Sequence, residues 1–92
     1  MEKNDQLLMQ LIYMFHTSAM QGLGKIADPN GQVIRNLEYV SHTIDLMEML
    51  KVKTKGTVTD EIEKLLDGTL SELRLNYVDE KVKQETEKSD DK

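Results

Sequence analysis

Ninety-two residues suit one small domain, of a size at which a single apolar core is marginal and is often completed by self-association. A net charge of -5 and a pI near 4.9 argue against a nucleic-acid backbone or an anionic membrane as the main partner. The absence of cysteine excludes disulfides, thiol catalysis and thiolate metal sites, and fits a cytoplasmic protein.

Met1 to Gln6 is polar and reads as a frayed N-terminus, with Asn4 or Asp5 available as a helix cap. Leu7 to Phe15 carries a single polar residue, Gln10. A transmembrane helix needs roughly 20 apolar residues, far more than this run supplies. Glu2 and Asp5 spoil the positive leader of a signal peptide. The remaining reading is a helix over about 6–23, buried on more than one side. At about 100° per residue, Leu8, Leu11, Ile12, Phe15, Ala19, Gly22, Leu23 and Ile26 form its main face. Met9, Tyr13, His16 and Met20 form a flanking second face. The small Ala19 and Gly22 allow another backbone to approach.

Gly24 is placed to end this helix, and Asp28-Pro29-Asn30-Gly31 is a turn signal. The connection from Gly24 to Arg35 is long for a helical bundle and is expected to cross the second helix. That helix, over 36–55, is central. Asn36 is its N-cap, Lys51, Lys53 and Lys55 complement the negative end of its dipole, and Gly56 closes it. Val33, Leu37, Val40, Ile44 and Met47 fall on one side. Tyr39, Leu46, Met49 and Leu50 gather on roughly the other, with a polar strip of Glu38, Ser41, His42, Asp45 and Glu48 between. A surface helix needs one apolar stripe; two imply contact on both flanks.

A third helix is expected over 60–82, capped by Thr59, with Val58, Ile62, Leu65, Leu66, Thr69, Leu73 and Tyr77 on one broad face. Leu75 and Val78 fall at its back, where a partner chain could lie, and Gly68 weakens its centre by roughly 1 kcal/mol relative to Ala. Residues 84–92 read as a disordered charged tail. The whole is one all-α domain over 7–83, a hairpin-like three-helix bundle completed by symmetric dimerisation. Three helices of one subunit leave too much apolar surface uncovered. The expected interface is Met9, Tyr13, His16, Met20, Tyr39, Leu46, Met49 and Leu50.

Certain residues resemble a small bacterial family: Gly22-Leu23-Gly24, Asp28-Pro29, Asn36-Leu37, Ile44-Asp45-Leu46-Met47 with Met49-Leu50, Lys53-Thr54-Lys55-Gly56, Thr59, Leu70, Leu73-Arg74 and Tyr77-Val78. That family is catalogued as domain of unknown function eighteen-forty-four. The likeness covers roughly residues 7 to 78 and departs at Lys25 and Thr57. It implies a small helical bacterial protein and carries over no activity, cofactor or catalytic residue.

Chemistry-bearing candidates are few. Glu38, His42 and Asp45 share a helix face at spacings that can hold a metal, a ligand set that a dimer would double. A solvated or hydrogen-bonded strip is the simpler account of them, and a structural ion pair with Arg74 or Lys55 is the simpler role for Asp45. The lysines before Gly56 close a helix rather than cradle an anion, because a phosphate loop has several glycines feeding a helix start. Ser18 and Ser41 lack a context for nucleophilic activation. The residues therefore point to a non-enzymatic dimeric interaction module without cofactor, whose partners are itself and another protein helix, with a metal protein or small enzyme using Glu38, His42 and Asp45 as the alternative.

Overall fold

A computed structural model describes residues 2–90 and contains three helices: α1 (Lys3–Gly22), α2 (Leu37–Thr54) and α3 (Asp60–Asp90). They pack on one another as an all-α bundle, elongated to 54 × 26 × 16 Å by the length of α3.

The residues expected to fray at the N-terminus are instead helical from Lys3, with the Glu2 carbonyl accepting from the Gln6 amide at 3.0 Å. Met1 lies outside the described residues. Further along, α1 buries Ile12, Ala19 and Gly22, with Leu8, Met9, Phe15 and Met20 packed beside them. Gly22 is where α1 meets α2. A Cβ there would stand 2.8 Å from Val40 Cγ2 and 3.4 Å from the Asn36 carbonyl, so only glycine permits the approach.

The long connection is a closed loop rather than a loose crossover. Its ends are joined by an antiparallel bridge between Leu23 and Arg35, and the Asn36 amide donates to the Gly22 carbonyl at 2.7 Å. Inside it, Asp28 Oδ1 accepts from the amides of Asn30 and Gln32, both at 2.9 Å. This local use of a short carboxylate is what the Asp28-Pro29-Asn30-Gly31 signal anticipates. Val33, expected on the core side of α2, sits in this loop and is exposed, as are Ile26 and Ile34.

Asn36 caps α2 as its side chain predicts, accepting from the Tyr39 amide at 3.2 Å. Leu37, Val40, Ile44 and Met47 are buried on one face, and Thr43 joins them by donating its hydroxyl back to the Tyr39 carbonyl. Gly56 follows with φ +79, and Thr59 Oγ1 accepts from the Ile62 amide to start α3. The buried face of α3 is Ile62, Leu66, Thr69, Leu70 and Leu73, with Leu65 and Tyr77 partly covered.

The expected disordered tail is corrected over 84–90: α3 continues to Asp90, while residues 91 and 92 lie outside the described chain. Two causes act. The segment DEKVKQETEK is rich in helix formers, and charges at helical spacing pair, as Lys83 does with Asp79 at 3.2 Å. The second cause is tertiary, because the loop before α2 grips this part of α3.

Candidate functional site

The polar strip of α2 does not assemble into a centre. Glu38, His42 and Asp45 are all exposed. Among the described residues no group of three or more His, Asp or Glu side chains converges to hold a metal. The ion pair expected of Asp45 is made by a neighbour, for Arg74 pairs with Glu48, one turn along. Lys55 caps the end of α2 and is exposed. Arg74 thus joins α3 to α2 through Glu48 and not through Asp45. Ser18 bonds the Tyr39 hydroxyl rather than a histidine, so that pair has no base to activate it.

The residues expected at an interface divide in two. Tyr13, Tyr39 and Met49 are exposed, at 53%, 44% and 44%. Met9, His16, Met20, Leu46 and Leu50 are half-buried within the subunit. His16 Nε2 lies 3.3 Å from Glu72 Oε1, which ties the second face of α1 to α3. Helix periodicity placed these side chains on flanking faces; the angle at which α1 and α2 lie on α3 decided which were covered. Met14 and Val52 are more exposed than any of them.

The most organised polar group is one that the sequence does not single out. Glu80 is 5% exposed, and its carboxylate is held from three directions. Lys25 Nζ donates to Oε2 at 2.9 Å, Lys83 Nζ reaches the same oxygen at 3.2 Å, and Arg35 Nη2 stands 3.1 Å from Oε1. Arg35 continues to Glu87, its two terminal nitrogens donating to the two carboxylate oxygens at 2.7 and 3.1 Å. This fork-to-fork pairing fixes direction as well as distance. The Lys25 hydrogen bond, above all, pulls the Glu80 carboxyl down to about 2; burial opposes this, and Lys83 adds to it. Glu87 is lowered chiefly by Arg35.

The local reason for this cluster is helical register. Leu66, Leu73, Tyr77 and Glu80 follow one another on the core-facing side of α3, so Glu80 points where an apolar side chain would otherwise be expected. Beyond the reach of α1 and α2, that side is covered by the loop, whose cations meet the carboxylate. Read in sequence, Glu80 is one of many charges in a charged run. The clue available was its spacing from Leu73 and Tyr77.

Next to this cluster an open cleft of about 370 Å³ lies between the start of α2 and α3, lined by Arg35, Leu37, Ser41, Tyr77 and Lys81 among others. A smaller, more apolar hollow of about 290 Å³ lies at the α2–α3 turn, against Val52, Val58 and Leu66. There Lys51 Nζ closes on Asp67 Oδ1 at 2.7 Å, an ion pair between half-exposed side chains rather than a directional hydrogen bond.

A family model described as a domain of unknown function, DUF1844, matches residues 6–80. The chain belongs to this family. The match confirms the resemblance drawn from Gly22-Leu23-Gly24 through Tyr77-Val78 and takes in all of the core together with Glu80. It stops short of Glu87, the outer partner of Arg35. Comparison with curated proteins and with solved structures gives no match. Among the described residues no helix is long and apolar enough to cross a membrane.

Proposed function

We propose that this DUF1844 chain is a non-enzymatic helical interaction module that works as a homodimer. One observation supports the reading: all three helices carry apolar side chains that the subunit itself does not cover. Met14 is 66% exposed on α1, Val52 73% on α2 and Leu75 74% on α3. Single exposed apolar residues are ordinary on a protein surface, but runs of them along helix faces mark contact surfaces. Tyr13, Tyr39 and Met49 add large, adaptable side chains of the kind enriched at interfaces. A self-complementary patch is most simply satisfied by a two-fold pair.

Sedimentation of the purified chain across a range of concentrations tests this reading. A mass that rises toward twice the chain mass supports it. A compact monomer throughout the range ends it.

A further inference from the structure

Leu75, Val78 and Val82 stand on the side of α3 directly opposite its buried face and are 74%, 62% and 56% exposed. Their spacing of three and four residues is that of the apolar seam of a coiled coil. The seam extends backward through the small residues Gly68 and Ser71, and its ends are marked by Lys64 and Glu85 at the same helical register. A Cβ at Gly68 would meet nothing within 4 Å, so nothing in its own subunit covers that part of the seam. With α1 and α2 both packed against the opposite side, a second helix can lie along this one unobstructed.

The charges on either side of the seam select the occupant. One flank, one residue before each apolar position of the Leu75 and Val82 turns, carries Arg74 and Lys81. The other flank, next to Val78 and one heptad before, carries Asp79 and Glu72. The seam thus has a basic edge and an acidic edge. In a parallel helix pair each basic edge faces the other helix's acidic edge, five residues further on, so Arg74 meets Asp79 of the second copy, twice by symmetry. An antiparallel pair sets basic against basic and acidic against acidic, bringing Arg74 toward Lys81 and Glu72 toward Asp79. The one like-charged meeting in the parallel arrangement is Asp67 with Glu72, and Asp67 already has Lys51 as a counter-charge. Arg74 and Asp79 have partners of their own in Glu48 and Lys83, but these pairs are exposed, and a guanidinium or a carboxylate can hold a second partner.

We infer that the outer seam of α3, centred on Leu75, Val78 and Val82, pairs in parallel with the same seam of a second copy of this chain. The inference rests on the dimeric reading above and assigns its surface and direction. Three apolar side chains and two flanking ion pairs make a small interface, so association is weak and reversible.

Because the three side chains are exposed, the paired substitution Leu75→Ser with Val78→Ser leaves the fold intact, which circular dichroism verifies. Sedimentation equilibrium of both proteins, with oxidation of a Val82→Cys chain at dimer-forming concentration, reads the proposal; the chain has no native cysteine to interfere. The expected result is a wild-type dimer, a dissociation constant raised about tenfold or more in the double variant, and rapid formation of a Cys-to-Cys bond between two Val82→Cys chains. Dimers that persist unchanged in the double variant overturn the seam while leaving the dimeric reading standing. A wild-type monomer overturns both. Efficient cross-linking only between a Ser71→Cys chain and a Val82→Cys chain overturns the parallel direction.

Discussion

Arg35 and Glu80, forty-five positions apart, meet with Arg35 Nε 3.2 Å and Nη2 3.1 Å from the Glu80 Oε1 atom. The contact fixes the last turn of the inter-helix loop to the C-terminal half of α3. It makes a single carboxylate the point where both ends of the loop are held to α3.

Replacing Glu80 with Gln keeps the shape and removes the charge. Lys25 and Arg35 then lose their common partner, and the protein is expected to be less stable by about 1–3 kcal/mol in urea unfolding. Deleting residues 84 to 92 removes Glu87 and lowers stability by less than this. A truncated chain as stable as the full one would return the end of α3 to the status of a dispensable tail.

Acid should act through the same group. Glu80 titrates at about 2 in the folded chain, below its ordinary 4.5, so the unfolded chain takes up the proton first as the pH falls. The stabilisation is full above the ordinary value and is lost on descending toward pH 2. Glu87, also lowered, works in the same direction. The urea midpoint is expected to fall more steeply over this window in the wild type than in the Glu80→Gln chain. Parallel pH profiles of the two would show that other carboxylates dominate.

Two glycines give opposite outcomes on substitution by Ala. At Gly22 the new methyl meets Val40 Cγ2 at 2.8 Å, and overpacking at the α1–α2 crossing costs about 1–3 kcal/mol. At Gly68 it meets nothing, and the helix gains up to about 1 kcal/mol. Thermal denaturation of the two variants, measured under conditions where the chain is monomeric, separates them by sign.

Asp45 lies exposed on α2, so Asp45→Ala is expected to change stability by less than about 0.5 kcal/mol. Glu48→Ala, which frees Arg74, should have the larger effect of the two. The reverse order in chemical denaturation would place the important carboxylate of this strip at Asp45 after all.

Much of the architecture was legible in the residues. Asn36, Thr59 and Gly56 mark helix boundaries because caps and left-handed turns depend on a few neighbouring atoms. The faces of Leu37, Val40, Ile44 and Met47, and of Ile62, Leu66 and Leu73, follow from helical periodicity alone. The short coupling at Gly22 was visible in its small size. Three things were not legible. Charges from Asp79 onward read as solvated because local pairs such as Lys83 with Asp79 stay at the surface; the further partners that cover Glu80 come from Lys25 and Arg35, in a loop more than forty residues away. The split of Met9, Tyr13, Met20 and Met49 into half-buried and exposed depends on helix crossing geometry, which periodicity leaves open. Arg74 chose Glu48 over Asp45 for the same reason: three residues separate the two by about 60° around the helix and about 4.5 Å along it, and only the packed bundle fixes which of them faces the arginine. Local chemistry set where each helix begins and which side it buries, whereas long-range ion pairing was decided only when the three helices and the loop came together.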